Sequence, residues 1–301
     1  MCRKWLIGVV LLVISLVSSE IALATSDEDA SSAITKLILA GFLDPKVPPE
    51  QRRALAVELE EVARRDHDPY LLYFFGSLYR QGSDNPGSPL PKDMDRAREY
   101  LSRAALSGNI PAMAKLSTME LQAKNRFEAN VWAQLHFYYA KEQAKADPRW
   151  SESFAASILR NAQDGFPKGE AKALNASVGA MIERYGVAIR EGLGRVTEAR
   201  AKNPLRDARP GQRTLVSSPS LTDRAPASGM AEYYVTFAAD GSVRDLWRLD
   251  SWPSSKLAHL LRPIAMGFRV EPVAAFEAGD DVALLPVEFG DRRYRATNDG
   301  K

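Results

Sequence analysis

Three histidines are the first residues to test for chemistry. His67 lies between Asp66 and Asp68, all metal-ligand types. Adjacent residues point in different directions, however, and no second histidine is near in sequence, so a helix junction is the reading. His136 precedes Phe137, Tyr138 and Tyr139, which marks a packed aromatic helix. His259 lies in a short helical stretch. A triad or a metal cage needs partners that converge, and these three are scattered. Glu58, Glu60 and Glu61 would supply paired carboxylates, but they share a stretch with Arg52, Arg53, Arg64 and Arg65 and read as a solvated helix face. Gly192-Leu193-Gly194 follows a helical pattern and lacks the last glycine of a dinucleotide loop, so it reads as a helix C-cap. Arg292, Arg293 and Arg295 read as a mobile tail, with contact to an acidic partner as the alternative. The aromatics Tyr70, Tyr73, Phe74, Phe75, Tyr79 and Tyr100 read mainly as core, with Tyr70, Tyr73 and Phe74 as the ones able to line a concave groove. No catalytic, cofactor-binding or metal-ligating residue is assigned, and the chain is expected not to be an enzyme.

The chain has 301 residues, 45% hydrophobic and 26% charged, with a net charge of +2. That length accommodates two domains, and the balance offers no field that would recruit nucleic acid. Arg3 and Lys4 precede an apolar run from Leu6 to Val17, and Ala22-Leu23-Ala24 supplies small residues at the cleavage positions. The pattern is a secretory signal peptide over 1–24, too short for a comfortable membrane span, with a mature start at Thr25 and an uncleaved anchor as the rival reading. Cys2 is the only cysteine and would leave with it. A mature chain without thiols suits an oxidising compartment, and a bacterial periplasm is expected.

Residues 25–200 carry helical periodicity. Ile34, Leu37, Ile38 and Phe42 form one stripe, stopped at Gly41 and Pro45. Pro48-Pro49-Glu50 opens the next helix, with Leu55, Leu59 and Val62 on one face. Asp68-Pro69 opens a third, with Asp68 as N-cap. Leu71, Phe75, Leu78 and Tyr79 share its face. Gly76 sits inside it at a cost of about 1 kcal/mol relative to alanine, which implies a close helix partner. Gly82 ends it. Asp93 caps the following helix, whose face is Ala97, Tyr100, Leu101, Ala104 and Ala105, and Gly108 stops it. Asn109-Ile110-Pro111 restarts the pattern, with Ala112, Leu116 and Met119, then Glu128, Ala129, Trp132, Leu135 and His136. Further helices carry Phe154, Ile158 and Leu159, then Leu174, Val178, Met181, Ile182 and Tyr185. They read as capping helices.

The hairpin from Leu71 to Gly108 resembles the Sel-one-like repeats, relatives of the tetratricopeptide repeats. Leu71, Phe75, Gly76, Tyr79 and Gly82 match the first helix of the motif, and Asp93, Ala97, Tyr100, Ala104, Ala105 and Gly108 match the second. A second unit from Ala112 to about Tyr139 is looser. Ser117 replaces the glycine and Glu120 the tyrosine, whereas Glu128-Ala129 and Trp132 agree. The resemblance implies an all-α helical-repeat solenoid that presents a surface to peptides or proteins.

Residues 201–228 are rich in proline and read as a linker. Beyond them the period becomes two. Glu232 to Phe237 and Val243 to Leu249 read as strands about an Asp240-Gly241 turn. Ser254 to Met266 reads as a helix that Pro263 shortens, and Val282 to Phe289 as a third strand. Residues 229–301 resemble the C-terminal domain of TonB-type proteins. Val235, Phe237, Asp240, Gly241 and Val243 match its opening motif; Ser251, Phe268, Pro272, Gly279, Val287 and Phe289 match the remainder, with extra residues between Phe268 and Pro272. The resemblance implies a small α+β module that adds a partner's strand to an exposed edge, expected to be Val282 to Phe289.

The expectation is therefore a multidomain chain, a helical-repeat solenoid followed by an α+β module. Its expected role is that of a periplasmic adaptor. The expected partner is a periplasmic or outer-membrane protein, with peripheral or no membrane contact after signal cleavage. No cofactor and no nucleic acid are expected. The alternative is a TonB-type energy transducer for outer-membrane transport, if the N-terminal apolar segment is retained as an anchor.

Overall fold

The structure is a computed structural model and describes residues 30–146, 152–202, 209–210, 228–276, 279 and 281–290. The signal segment, the proposed start at Thr25, most of the proposed linker and the Arg292, Arg293 and Arg295 cluster lie outside the described residues. A helical N-terminal region is followed by a small antiparallel sheet. The helices are α1 (Ala30–Leu39), α2 (Pro49–Asp66), α3 (Pro69–Gln81), α4 (Met94–Leu106), α5 (Ile110–Gln122), α6 (Arg126–Ala146), α7 (Glu152–Gln163) and α8 (Ala171–Lys202). Then come β1 (Arg209–Pro210), β2 (Ser228–Phe237), β3 (Val243–Trp252), α9 (Ser255–Met266), β4 (Phe268–Arg269) and β5 (Val282–Gly290). Among the described residues no helix is long and apolar enough to cross a membrane.

Local chemistry sets the helix boundaries. Asp68 accepts hydrogen bonds from the Tyr70 and Leu71 amides at 2.8 and 2.9 Å, and Asp93 from Asp95 and Arg96 at 3.1 and 3.0 Å. Asn109 does the same for Ala112 at 3.1 Å. Each satisfies amides that a helix start leaves without a partner. At the end of α4, Gly108 adopts φ 95° and its amide donates to Ala105 O at 3.2 Å, while Asn109 N donates to Ala104 O at 3.0 Å. These are the paired bonds of a Schellman stop.

Helices pack in sequence order, α3 on α4, α5 on α6 and α6 on α7, with α8 against α6 and the end of α4. A Cβ on Gly76 would lie 2.8 Å from Leu101 Cγ and 3.2 Å from Leu101 N, so the glycine admits α4 to the backbone of α3. The partner is a leucine, not the alanine stripe of that helix. Gly192 departs from the sequence reading. It is not a C-cap, because α8 runs on to Lys202. A Cβ on Gly192 would overlap the Ser107 carbonyl oxygen, and one on Gly108 would lie 2.7 Å from Gly192 C. Two glycines therefore bring α4 and α8 into backbone contact. Pro263 also behaves differently from expectation. It lies within α9, which continues to Met266, since a proline removes a single backbone donor from the ladder.

The sheet has the order β3-β2-β5, all antiparallel, and β1 pairs separately with β4. The β2–β3 turn falls at Asp240–Gly241, where Gly241 N donates to Ala238 O at 2.8 Å. β2 is buried from Gly229 through Phe237, so both faces of the sheet are covered. On one face, Ala231, Tyr233, Val235 and Phe237 pack with Leu257, Ala258, Leu261 and Ala265 of α9. On the other, Tyr234, Leu249 and Val282 join the core of the helical region. The Phe74 ring meets Tyr234 edge-on, with centroids 5.9 Å apart. The sheet is thus the middle layer between the helical region and α9.

Candidate functional site

The densest polar constellation lies where α3 and α5 meet the sheet. Tyr73, Ser77, Arg80 and Gln81 recur at three- and four-residue spacing, so α3 presents them on one face. α5 contributes Lys115, β2 contributes Glu232, and β3 contributes Asp250, Ser251 and Trp252. All are buried, and Lys115 and Asp250 have no exposed surface. Strand alternation aims Glu232 at the helices, because Ala231 and Tyr233 face α9.

Two cations face two carboxylates here. Lys115 Nζ lies 2.6 Å from Glu232 Oε2, 2.8 Å from Asp250 Oδ2 and 2.5 Å from Ser77 Oγ. Arg80 ion-pairs with Asp250, its Nε donating to Oδ2 at 3.1 Å, and its Nη2 donates to Ser251 O at 2.6 Å. The Tyr73 hydroxyl donates to Glu232 Oε1. The Lys115 ammonium stands 3.9 Å from the Tyr73 ring centre and 5.4 Å from that of Trp252. Burial is the largest influence on Asp250 and opposes its charge. Arg80 and then Lys115 outweigh it and hold the carboxyl below its ordinary value. Burial, followed by the neighbouring Glu232 charge, pushes the Tyr73 hydroxyl well above its usual range.

This cluster is built for holding and not for turnover. Ser77 and Lys115 have the composition of a nucleophile and its base. An amine ion-paired to two carboxylates offers no lone pair, however, and neither side chain reaches solvent. The Ser77 hydroxyl in turn donates to Tyr73 O at 2.7 Å. Ions buried without partners would cost several kcal/mol each, so this seam closes only when all four charges meet.

A second feature is the inequality of the sheet's edges. The outer edge of β3 is capped by side chains of the helical region. Asn85 Nδ2 donates to Arg248 O at 2.8 Å, and Gln81 Nε2 and Arg80 Nη2 donate to Ser251 O. β5 pairs with β2 on one side, and among the described residues no strand lies on its other side.

The motif residues hold structure. Tyr79 and Tyr100 each donate a hydroxyl to Glu60 Oε1 at 2.8 Å, and Arg96 Nη1 donates to Tyr79 OH at 2.9 Å. Burial and then Glu60 raise the Tyr79 hydroxyl to about 12. Glu60 is therefore a tie between α2, α3 and α4, not half of a carboxylate pair. Ala97, Ala104, Ala105 and Trp132 are buried, and Gly82 closes α3, its amide donating to Leu78 O. Val235, Phe237, Val243 and Val287 line the α9-side core, with Phe268 packed at its margin. Asp240 accepts from Ser242 N and Oγ at 2.9 and 2.6 Å. Pro272 is exposed, and Phe289 pairs with Gly229. The two motif sets do not converge on one site.

The aromatics read mainly as core are covered, and the groove that Tyr70, Tyr73 and Phe74 could have lined is not open. Tyr73 and Phe74 are buried because the sheet docks on that face of α3, and Tyr70 is half-buried. His67 caps α2 in a left-handed conformation and contacts Arg103. His259 is exposed. His136 is buried against Phe154, with ring centres 6.1 Å apart. Among the described residues no group of His, Cys, Asp and Glu is placed to hold a metal ion.

Sequence reasoning missed Lys115, Glu232, Asp250 and Arg80. The available signal was a charge inside an otherwise apolar run, as at Ala112-Met113-Ala114-Lys115-Leu116. Lysine and glutamate are almost never fully buried unless paired. Compared with protein-family profiles, curated proteins and solved structures, the chain matches none.

Proposed function

We propose that the protein is a secreted, periplasmic adaptor that binds a protein partner by adding the partner's strand to β5. The observation that carries this reading is the unequal capping of the sheet. One edge is taken up by Arg80, Gln81 and Asn85, and the β5 edge has no strand beside it among the described residues. An open strand edge offers main-chain hydrogen bonds to an extended peptide. The strand–strand–helix–strand order with β2 central supports the likeness to a TonB-type C-terminal module. The capped hairpin α3–α4, with Gly76, Tyr79, Tyr100 and Gly108 in its packing, supports the likeness to a Sel-one-like repeat, and so a short solenoid as platform. The apolar run from Leu6 to Val17, followed by small residues at Ala22-Leu23-Ala24, supports export.

A photo-crosslinking residue at Leu284 of β5 tests the reading against the same residue at Val187 of α8, both exposed. The expected result, with the exported chain, is a discrete adduct to one partner from Leu284 and none from Val187. Equal labelling at both positions, or none at Leu284, sinks it.

The second reading is a TonB-type transducer, favoured by the Val235, Phe237, Asp240, Gly241 and Val243 motif. It requires the apolar segment Leu6 to Val17 to stay attached. Sequencing the N-terminus of exported protein decides between them: a start at Thr25 excludes the anchored transducer.

A further inference from the structure

β5 carries a proline, and the register of the sheet shows which way its backbone points. Thr236 pairs with Val282, and Phe237 N donates to Asp281 O at 2.9 Å. Backbone groups alternate in direction along an antiparallel strand. Odd-numbered residues of β5 therefore turn theirs to β2, and even-numbered residues turn theirs to the outer edge. Pro286, opposite Glu232, belongs to the outer set. That is the parity a proline tolerates, because an odd position would need its N–H for the ladder. On the outer edge, Val282 N is occupied by Gly279 O at 3.2 Å. Leu284 presents both an N–H and a C=O. Pro286 presents a C=O alone, with ring carbons in place of the N–H. Both side chains are exposed. An unbroken edge offers a donor about every 7 Å; here the step from Leu284 to the next N–H of the same parity, at Glu288, is about 14 Å.

We infer that Pro286 sets the specificity of the β5 edge. It rejects an uninterrupted strand and admits an extended peptide that breaks its own ladder, with a glycine bulge, at the residue facing Pro286. The inference rests on strand addition at β5. In either orientation, an uninterrupted strand brings one carbonyl against the Pro286 ring. That carbonyl loses its water and gains no donor, which is the costly way to cover an acceptor. A bulged residue leaves the ladder and turns its carbonyl aside, and glycine enters the required backbone conformations most readily. Edge prolines protect sheets from indiscriminate pairing. Here the intact N–H and C=O of Leu284 stand beside the proline, so the edge is narrowed and not closed.

Two peptides are the probes, titrated against the exported chain. Both alternate threonine and valine over eight residues between terminal lysines, and one has a glycine inserted at its centre. The interrupted peptide is expected to bind about five- to tenfold tighter, the worth of about one hydrogen bond. Pro286→Val restores the donor at an exposed edge position with a good strand former, so it keeps the fold. It should reverse the preference in favour of the uninterrupted peptide. Leu284→Pro has the same parity and spares the β2 ladder; it should weaken both peptides. If Leu284→Pro weakens both while Pro286→Val leaves the preference unchanged, the role of Pro286 is overturned and strand addition stands. If Leu284→Pro weakens neither, the peptides bind elsewhere and both readings fall. If the parent chain binds neither peptide and Pro286→Val binds both, the proline closes the edge, which also overturns the inference. Binding of neither peptide to any of the three chains overturns it too, and an adduct at Leu284 would then leave strand addition standing.

Discussion

Lys115 of α5 and Glu232 of β2 lie 117 positions apart in sequence and 2.6 Å apart in space. The pair joins the helical region to the middle strand of the sheet, and Asp250 and Arg80 complete it from β3 and α3. The two parts of the chain therefore share a seam in which every buried charge has a counter-charge.

Removing one member should be far worse than neutralising a pair. Lys115→Met leaves Glu232 and Asp250 facing one remaining cation in a dry interior. The expected loss is about 3–5 kcal/mol, the usual cost of stranding a buried charge. Lys115→Met with Glu232→Gln leaves the Arg80–Asp250 pair intact and a neutral amide to accept from Tyr73. It should recover most of that loss. Urea unfolding of the single and double variants checks this. A single variant within about 1 kcal/mol of the parent chain would show that the charges are solvated and the seam is open.

The acid limb of stability should show two separate windows. Burial lowers His136 from 6.5 to about 4. Between those values the unfolded chain binds a proton that the folded chain refuses. Stability therefore falls as pH drops through this window, at about 1.4 kcal/mol per pH unit. Asp250 is held below its ordinary value, so its contribution is present above about pH 3.9 and is lost as pH falls through the folded value. His136→Phe should flatten the upper window and leave the lower loss in place. Urea midpoints taken from about pH 7 to about pH 3 give the two slopes. An unchanged slope in the upper window would remove His136 as its cause.

Much of this fold is written locally. Asp68, Asp93 and Asn109 cap the helices they precede, and Asp240-Gly241 turns the hairpin, because each acts within three residues of itself. The seam is different in kind. Arg80 meets Asp250 across 170 positions, and no periodicity encodes that distance. Tyr73 and Phe74 read as core with a groove as the alternative, because the sequence does not say which face of α3 a later element covers. Glu232 reads only as the start of a strand, and nothing local says that β2 is covered on both faces. Gly192 reads as a stop for the same reason: its partner, the Ser107 carbonyl, belongs to another helix.

That glycine gives the last prediction, with its neighbour as control. Gly192 and Gly194 both lie in α8, two positions apart, and their surroundings are opposite. A Cβ at Gly192 would overlap Ser107 O and lie 2.7 Å from Ser107 C, whereas one at Gly194 meets nothing within 4 Å. A backbone carbonyl cannot rotate away as a flexible side chain does. Gly192→Ala must therefore force α8 away from the end of α4, at a cost of about 1–3 kcal/mol. Gly194→Ala only exchanges a poor helix former for the best one and should add about 0.8–1 kcal/mol. Thermal unfolding of the two variants should move in opposite directions from the parent chain. If both rise, α8 does not rest on α4 and Gly192 is an ordinary helical glycine.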